Sequence, residues 1–165
     1  MQAQTEREDD HGSGQFLTFY LGEEAYGVDI LRVQEIRGWE AVRSLPDAPQ
    51  YVKGVLDLRG TIVPIVDLRM RFGNTDPNYE STTVVIIVSV GEGDTSHLVG
   101  VVVDGVSDVL DASEAEIKAP PKMGATIKQR YLRGMVSLDR GMVVLVDIDT
   151  MLSEGELAEL EMLGA

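Results

Sequence analysis

One segment of this chain occurs twice. YVKGVLDLRGTIVPIVDL runs from Tyr51 to Leu68, and YLRGMVSLDRGMVVLVDI from Tyr131 to Ile148. Laid ungapped at an offset of 80 residues, Tyr51 meets Tyr131, Gly54 meets Gly134, Leu58 meets Leu138, Val63 meets Val143, Val66 meets Val146 and Asp67 meets Asp147. At an offset of 73, YGVDILRVQEI also finds a later relative: Gly27 meets Gly100, Val28 meets Val101, Val33 meets Val106 and Ile36 meets Val109. The repeat therefore covers more than one hairpin. Two β-rich halves with strands in similar order are the simplest account, and this restricts the fold more than any other feature.

Local patterning agrees. QFLTFYLG sets Phe16, Thr18 and Tyr20 against Leu17, Phe19 and Leu21, the period-two alternation of a strand, and EEAYGVDI reads as its hairpin return. VQEIRGWEAVRSLP is β-biased, and PDAPQYVKG has room for one short helical turn. The hairpin Val55–Asp67 follows, with Arg59 at its turn; Pro64 makes its second strand an edge, or irregular, at that point. DLRMRFG reads as a short helix capped by Asp67 and stopped by Gly73. The segments Val84–Val88 and Val99–Val103 lack alternation, which implies burial on both faces and a place between two lobes. Ser153 and Glu156 fit a capping box ahead of Leu157, Leu160 and Leu163. The expectation is a mainly β protein of two small barrels sharing an apolar core. Lobe one spans about 15–71 and lobe two about 82–148, with short helices and a C-terminal helix at about 153–163. Residues 1–14 read as a disordered acidic tail.

The charge narrows the partners. Lys+Arg is 14 against Asp+Glu 28, a net charge of -14. That argues against sequence-independent nucleic-acid binding and against docking on anionic lipid. No cysteine is present, so there is no disulfide, thiolate nucleophile or Cys-based metal site. The N-terminal MQAQTEREDDHGSGQ lacks the apolar core of a signal peptide, and the longest apolar run, Val84–Val88, is too short to span a membrane. A soluble cytoplasmic protein is expected.

Catalytic tools are missing. Histidine occurs only as His11 and His97, too few for a zinc cluster, and no nucleophile elbow accompanies His97. Asp67 and Asp147 form a repeat-related pair, but each ends a strand before an apparent helix, where aspartate caps backbone N–H groups. Asp104–Asp108 (DGVSD) lacks the ligand spacing and terminal glutamate of a calcium loop. Neither glycine-rich phosphate motif occurs. What remains is a binding module, and Arg59 at a hairpin tip is its first candidate contact, since the planar fork of arginine suits interface anchoring.

Several stretches together resemble one family. FLTFYLGEEAYGVDILRVQEIRGWE, VKGVLDLRGTIVPIVDLRMRFG, TVVIIV and VGVVVDGVSDVL are similar to CheW, the coupling protein of bacterial chemotaxis, and the similarity runs from Phe16 to about Leu160. The resemblance implies two intertwined five-stranded SH3-like β-barrels around a shared core. It implies a non-enzymatic adaptor without cofactor or metal. The implied partners are the regulatory domain of the histidine kinase CheA and the cytoplasmic tip of methyl-accepting chemoreceptors, with recruitment to membrane arrays only through them. Carried over position by position, receptor binding falls on Val33, Glu35, Arg59, Val84, Val85, Gly100, Val102 and Val106, in a groove between the lobes. Kinase binding falls on Ile36, Gly54 and Val55. Val33 and Glu35 alternate on one strand and are expected on one face.

The second half departs at the turn, where Asp139 and Arg140 shift the arginine by one place, so only Arg59 is expected to face a partner. The loop VGEGDTSH is somewhat long for the family. Rival readings are a CheW-like scaffold of another kinase pathway such as twitching motility, an enzyme using Asp67, Asp147 or His97, and a small-molecule-binding barrel. A CheV-type fusion is disfavoured, because the chain to Ala165 leaves no room for a receiver domain.

Overall fold

The computed structural model describes residues 14–120, 122 and 129–152. The expected tail and C-terminal helix lie outside these residues, apart from Gly14. Among these residues there are ten strands: β1 (Gln15–Leu21), β2 (Glu24–Asp29), β3 (Val33–Gly38), β4 (Val52–Leu58), β5 (Thr61–Asp67), β6 (Val84–Val90), β7 (His97–Val103), β8 (Gly105–Asp111), β9 (Leu132–Leu138) and β10 (Gly141–Val146). Two short helices follow β5 and β10: α1 (Leu68–Arg71) and α2 (Ile148–Leu152). The segment expected to hold a helical turn before Gly54 contains only turns.

The strands form two five-stranded sheets, ordered β8-β1-β2-β10-β9 and β3-β6-β7-β5-β4. These orders are the same pattern under the repeat, with β1–β5 standing for β6–β10. Neither sheet is made from one half of the chain. Each half lends its first hairpin, β1–β2 or β6–β7, to the other half's last three strands. The expected boundaries at 15–71 and 82–148 therefore describe the repeat units and not the sheets. The physical cause is the crossover after β2 and β7. The chain leaves the hairpin through Ile30–Arg32, or turns at Asp104, and enters the opposite sheet. Each exchanged hairpin is held by a short parallel ladder, Val143–Leu145 on Ala25–Gly27 and Ile65–Asp67 on Gly100–Val102.

Both sheets curl, and the segment beyond one edge strand reaches the far edge. Arg43 bridges Val55 on β4, and Lys118 bridges Met135 on β9. Pro64 sits on β5 just before its parallel pairing with β7 begins at Ile65, so the missing N–H costs no ladder bond to β7.

The valine strands are buried on both faces, as expected. From β6 and β7, Ile86, Val88, Val90, Val99, Val101 and Val103 enter a core shared with Leu17, Phe19, Tyr26 and Val28 of the other sheet. The alternate residues Val85, Ile87 and Val102 fill the interior of their own sheet with Leu58, Val63 and Ile65. A third cluster, Phe16, Ala112, Val136, Val143 and Leu145, fills the other barrel. Burying such side chains stabilises by roughly 1.5–3 kcal/mol each.

Candidate protein-docking site

The tip of the β4–β5 hairpin is a two-residue turn, Leu58 pairing with Thr61 across Arg59 and Gly60. Both central residues have positive φ, 52° for Arg59 and 90° for Gly60. This is the primed-turn geometry that matches strand twist, and glycine is its natural occupant. Asp57 accepts a hydrogen bond from the Gly60 N–H at 2.8 Å. An arginine held in the left-handed region is locally unfavourable, and such residues cluster at functional sites. The repeat-related turn places Asp139 and Arg140 between Leu138 and Gly141, and there the positive φ falls on Gly141 instead.

The Arg59 side chain is 76% exposed, and its Nη2 donates to Glu35 Oε1 at 3.1 Å. Glu35 stands on β3, which lies at the opposite edge of the sheet from β4. The curl of the sheet therefore brings together two residues that the sequence reading paired only by resemblance. The other oxygen of Glu35 accepts from Arg37 at 3.4 Å, and Arg37 reaches Glu40 at 3.2 Å. A line of alternating charge runs from the hairpin tip along the edge strand.

Val33 does not share a face with Glu35. The register shifts between them, so that Val33 opposes Val88 while Glu35 opposes Ile87. Val88 belongs to the shared core and Ile87 to the barrel interior. A β-bulge inserts one residue and breaks simple alternation. Val33, Val84 and Val106 are half-buried and pack on the shared core. Val85 and Val102 are 4% and 0% exposed, inside the barrel. Gly100 is buried with them, where an added Cβ would lie 2.5 Å from Ile65 Cδ1. These three shape the barrel wall and offer no open surface. Of the residues assigned to the kinase, Ile36 is 44% exposed on the edge strand and Val55 is half-buried. Gly54 is buried, with the Arg43 carbonyl lying over it.

Asp67 and Asp147 act as caps. Asp67 Oδ1 accepts from the Arg69 N–H at 3.0 Å, and Asp147 Oδ1 accepts from the Thr150 N–H at 3.1 Å. Among the described residues, no group of three His, Cys, Asp or Glu side chains could hold a metal ion. No helix among them is long and apolar enough to cross a membrane.

Sequence reasoning missed two constellations. The Arg69 guanidinium is 2% exposed; it binds Asp67 twice, Asp104 at 2.9 Å and the Asn78 carbonyl at 2.6 Å. Tyr79 donates to Asp67 and stacks under Arg69 at 4.8 Å. Burial opposes the charge of Arg69, but its bonds to Asp67 and Asp104 outweigh that and raise its pKa. Asp104 also accepts from the Gly22 N–H at 2.6 Å, so the network ties the β1–β2 turn of one sheet to α1 beside the other. The second constellation is Arg71, which lies 4.9 Å from the Tyr51 ring and 5.6 Å from that of Tyr131. The repeat pairs these tyrosines, and that pairing was the one available signal for a shared partner.

Two curled five-stranded sheets around a common core, with charged residues on a hairpin tip and along an edge strand, define an SH3-like arrangement. The CheW-like domain family model matches residues 15–156, and the chain belongs to that family. The chemotaxis protein CheW of Klebsiella aerogenes is 46% identical over 144 residues, covering 87% of this chain and 84% of that protein. The CheW of Rhizobium meliloti is 34% identical over 146 residues, covering 88% and 92%. The crystal structure of the scaffolding protein TtCheW from Thermoanaerobacter tengcongensis superposes with a TM-score of 0.74 at 29% identity, covering 87% of this chain and 89% of that one.

Proposed function

We propose that this protein is the adaptor that couples chemoreceptors to the histidine kinase CheA in chemotaxis signal transduction, with no chemistry of its own. The observation that carries the reading is the Arg59–Glu35 pair: an exposed arginine fixed in a left-handed turn and tethered across the sheet at 3.1 Å. The left-handed φ closes the two-residue turn, and the turn carries the side chain out at the hairpin tip, open to a partner. Family membership supports this class of partner.

The helical hairpin of a receptor tip lies along this surface in a helix-in-groove mode. Arg59 and Glu35 read its polar positions, and Val33, Val84 and Val106 supply half-buried apolar contact. Val85, Gly100 and Val102 hold the wall behind them. The CheA regulatory domain docks at exposed Ile36 and at Val55, where Gly54 keeps the crossing backbone close. The adaptor works in the cytoplasm and reaches the membrane array through these partners.

Calorimetric titration with the CheA regulatory domain and with a receptor-tip fragment tests the proposal. Saturable binding to both is expected, with Arg59→Glu weakening the receptor arm and sparing the kinase arm. No binding to either partner by the folded protein, at several salt concentrations, would refute it.

A further inference from the structure

The repeat places two ionic latches at equivalent points, with their charges exchanged. An offset of 80 residues sets Arg69 of α1 on Asp149 of α2. Arg69 binds Asp104, the residue just before the edge strand β8, and Asp104 accepts from the N–H of Gly22, the residue just after β1. Asp149 pairs with Arg32, the residue just before the edge strand β3. Asp149 also accepts from the N–H of Gly91, the residue just after β6, at 3.0 Å, and Arg32 donates to the Gly91 carbonyl at 2.9 Å. In both latches the helix that follows one sheet is tied to the start of an edge strand, and to the end of that strand's neighbour, in the other sheet. The guanidinium stands on the helix in the first latch and before the strand in the second.

The latches also differ in burial. Arg69 is 2% exposed, whereas Arg32 and Asp149 are 29% and 32% exposed. The open latch serves the strand that bears Glu35, Ile36 and Arg37. β3 is an edge strand whose side chains are at most half-buried, so burial sets its register only weakly. The bulge between Val33 and Glu35 adds a point of slippage. A slip of one residue turns Glu35 away from Arg59, which it meets at 3.1 Å. Arg32 opposes that slip. It stands directly before Val33 and reaches the residue directly after β6, the strand on which β3 is registered.

We propose that Arg32 and Asp149 are positioning residues for β3, fixing its register on β6 so that Glu35 meets Arg59. They act through Glu35 and not by contact with a partner. The docking role of β3 rests on the adaptor reading; the control of its register does not.

The test is hydrogen exchange of the full chain, read at the amides of β3 and β8, together with affinity for a receptor-tip fragment. Asp149→Asn is expected to fold, since a pair this exposed contributes little to global stability. Its β3 amides should exchange about tenfold faster, the loss of one hydrogen bond, with β8 unchanged. Fragment affinity should fall with them. The first latch predicts the rescue. Arg32→Asp combined with Asp149→Arg gives the second latch the polarity of the first and should restore both readouts, which a general loss of stability would not allow. If the double variant does not fold, the contrast between β3 and β8 in Asp149→Asn decides alone. Unchanged β3 exchange overturns the proposal, as does equal loosening of β3 and β8, or a folded double variant that restores neither readout. Faster β3 exchange in Asp149→Asn, beside a wild type that binds no fragment, upholds the positioning role and refutes the adaptor reading.

Discussion

Arg69 grips Asp67 through two parallel hydrogen bonds, Nε to Oδ1 at 3.0 Å and Nη2 to Oδ2 at 2.9 Å, with the two side chains 2% and 0% exposed. The same carboxylate caps α1 and accepts from Tyr79, and the same guanidinium holds Asp104. A pair sealed this completely stabilises only while both members are present.

Arg69→Met leaves Asp67 as a buried, uncompensated charge. The expected cost is about 3–5 kcal/mol, read from the urea midpoint at constant m-value. Asp104→Asn costs less, because Asp104 is 37% exposed and water replaces the lost interaction. Equal, small losses in both variants would show that the network is peripheral to folding.

Arg59 gives the opposite balance. The exposed pair with Glu35 is worth about 1 kcal/mol or less, while the left-handed φ of 52° is unfavourable for arginine. Arg59→Gly is therefore expected to match or exceed the wild-type unfolding temperature and still to lose receptor-fragment affinity. An Arg59→Gly protein that binds the fragment normally would remove Arg59 from the docking surface.

Much of the fold was legible because the repeat fixes strand order and turn positions, and the unbroken Val84–Val88 run marks a strand between two cores. The exchange of hairpins was not legible in the residue pattern, although the family resemblance implied intertwined barrels. Pairing β2 with β10 is a long-range choice, and residues 24–29 carry no local sign of which sheet they join. The bulge between Val33 and Glu35 was hidden for a similar reason: counting by twos assumes an unbroken register, and only the partner strand reveals the shift. Arg69 looked like an ordinary helix residue, because its burial depends on Asp104 and Asn78 arriving from elsewhere in the chain. The Arg59–Glu35 contact depended on sheet curl, which no local pattern encodes.

Two tyrosines predict an alkaline limit to stability. Burial, and then Glu24, pushes the Tyr26 phenol from 10.0 up to about 12. Burial, and then the hydrogen bond to Asp67, raises Tyr79 as well. The folded state holds these protons more tightly than the unfolded chain. Their stabilisation is complete below pH 10 and is lost as pH rises from 10 towards about 12. Denaturation midpoints measured across that window should fall for the wild type and fall less steeply for Tyr26→Phe. Identical slopes would place the alkaline sensitivity elsewhere.

Gly54 and Gly134 test how far the duplication extends into mechanism of folding. Each lies under a segment that crosses to it from beyond the opposite edge strand of its sheet. Arg43 and Val55 exchange backbone hydrogen bonds of 3.2 and 2.8 Å, and Lys118 and Met135 exchange bonds of 2.8 and 3.0 Å. A Cβ on Gly54 would lie 2.0 Å from the Arg43 oxygen, and one on Gly134 would lie 2.6 Å from the Lys118 oxygen. Both positions need the absence of a side chain, for the same reason in both lobes. They differ in backbone conformation, because Gly54 has a φ of 146° and Gly134 is not in the left-handed region. Gly134→Ala is therefore expected to carry the overpacking cost alone, about 1–3 kcal/mol. Gly54→Ala adds backbone strain of about 1–3 kcal/mol and should be the more damaging change. Chemical denaturation of the two single variants measures the difference. If Gly54 acts in kinase binding only by holding Val55 in place, a Gly54→Ala protein that refolds with an intact Arg43 bridge binds normally. Equal destabilisation by both substitutions would mean that the crossing strands yield enough to relieve the strain at Gly54, leaving steric exclusion as the whole role of the repeated glycine.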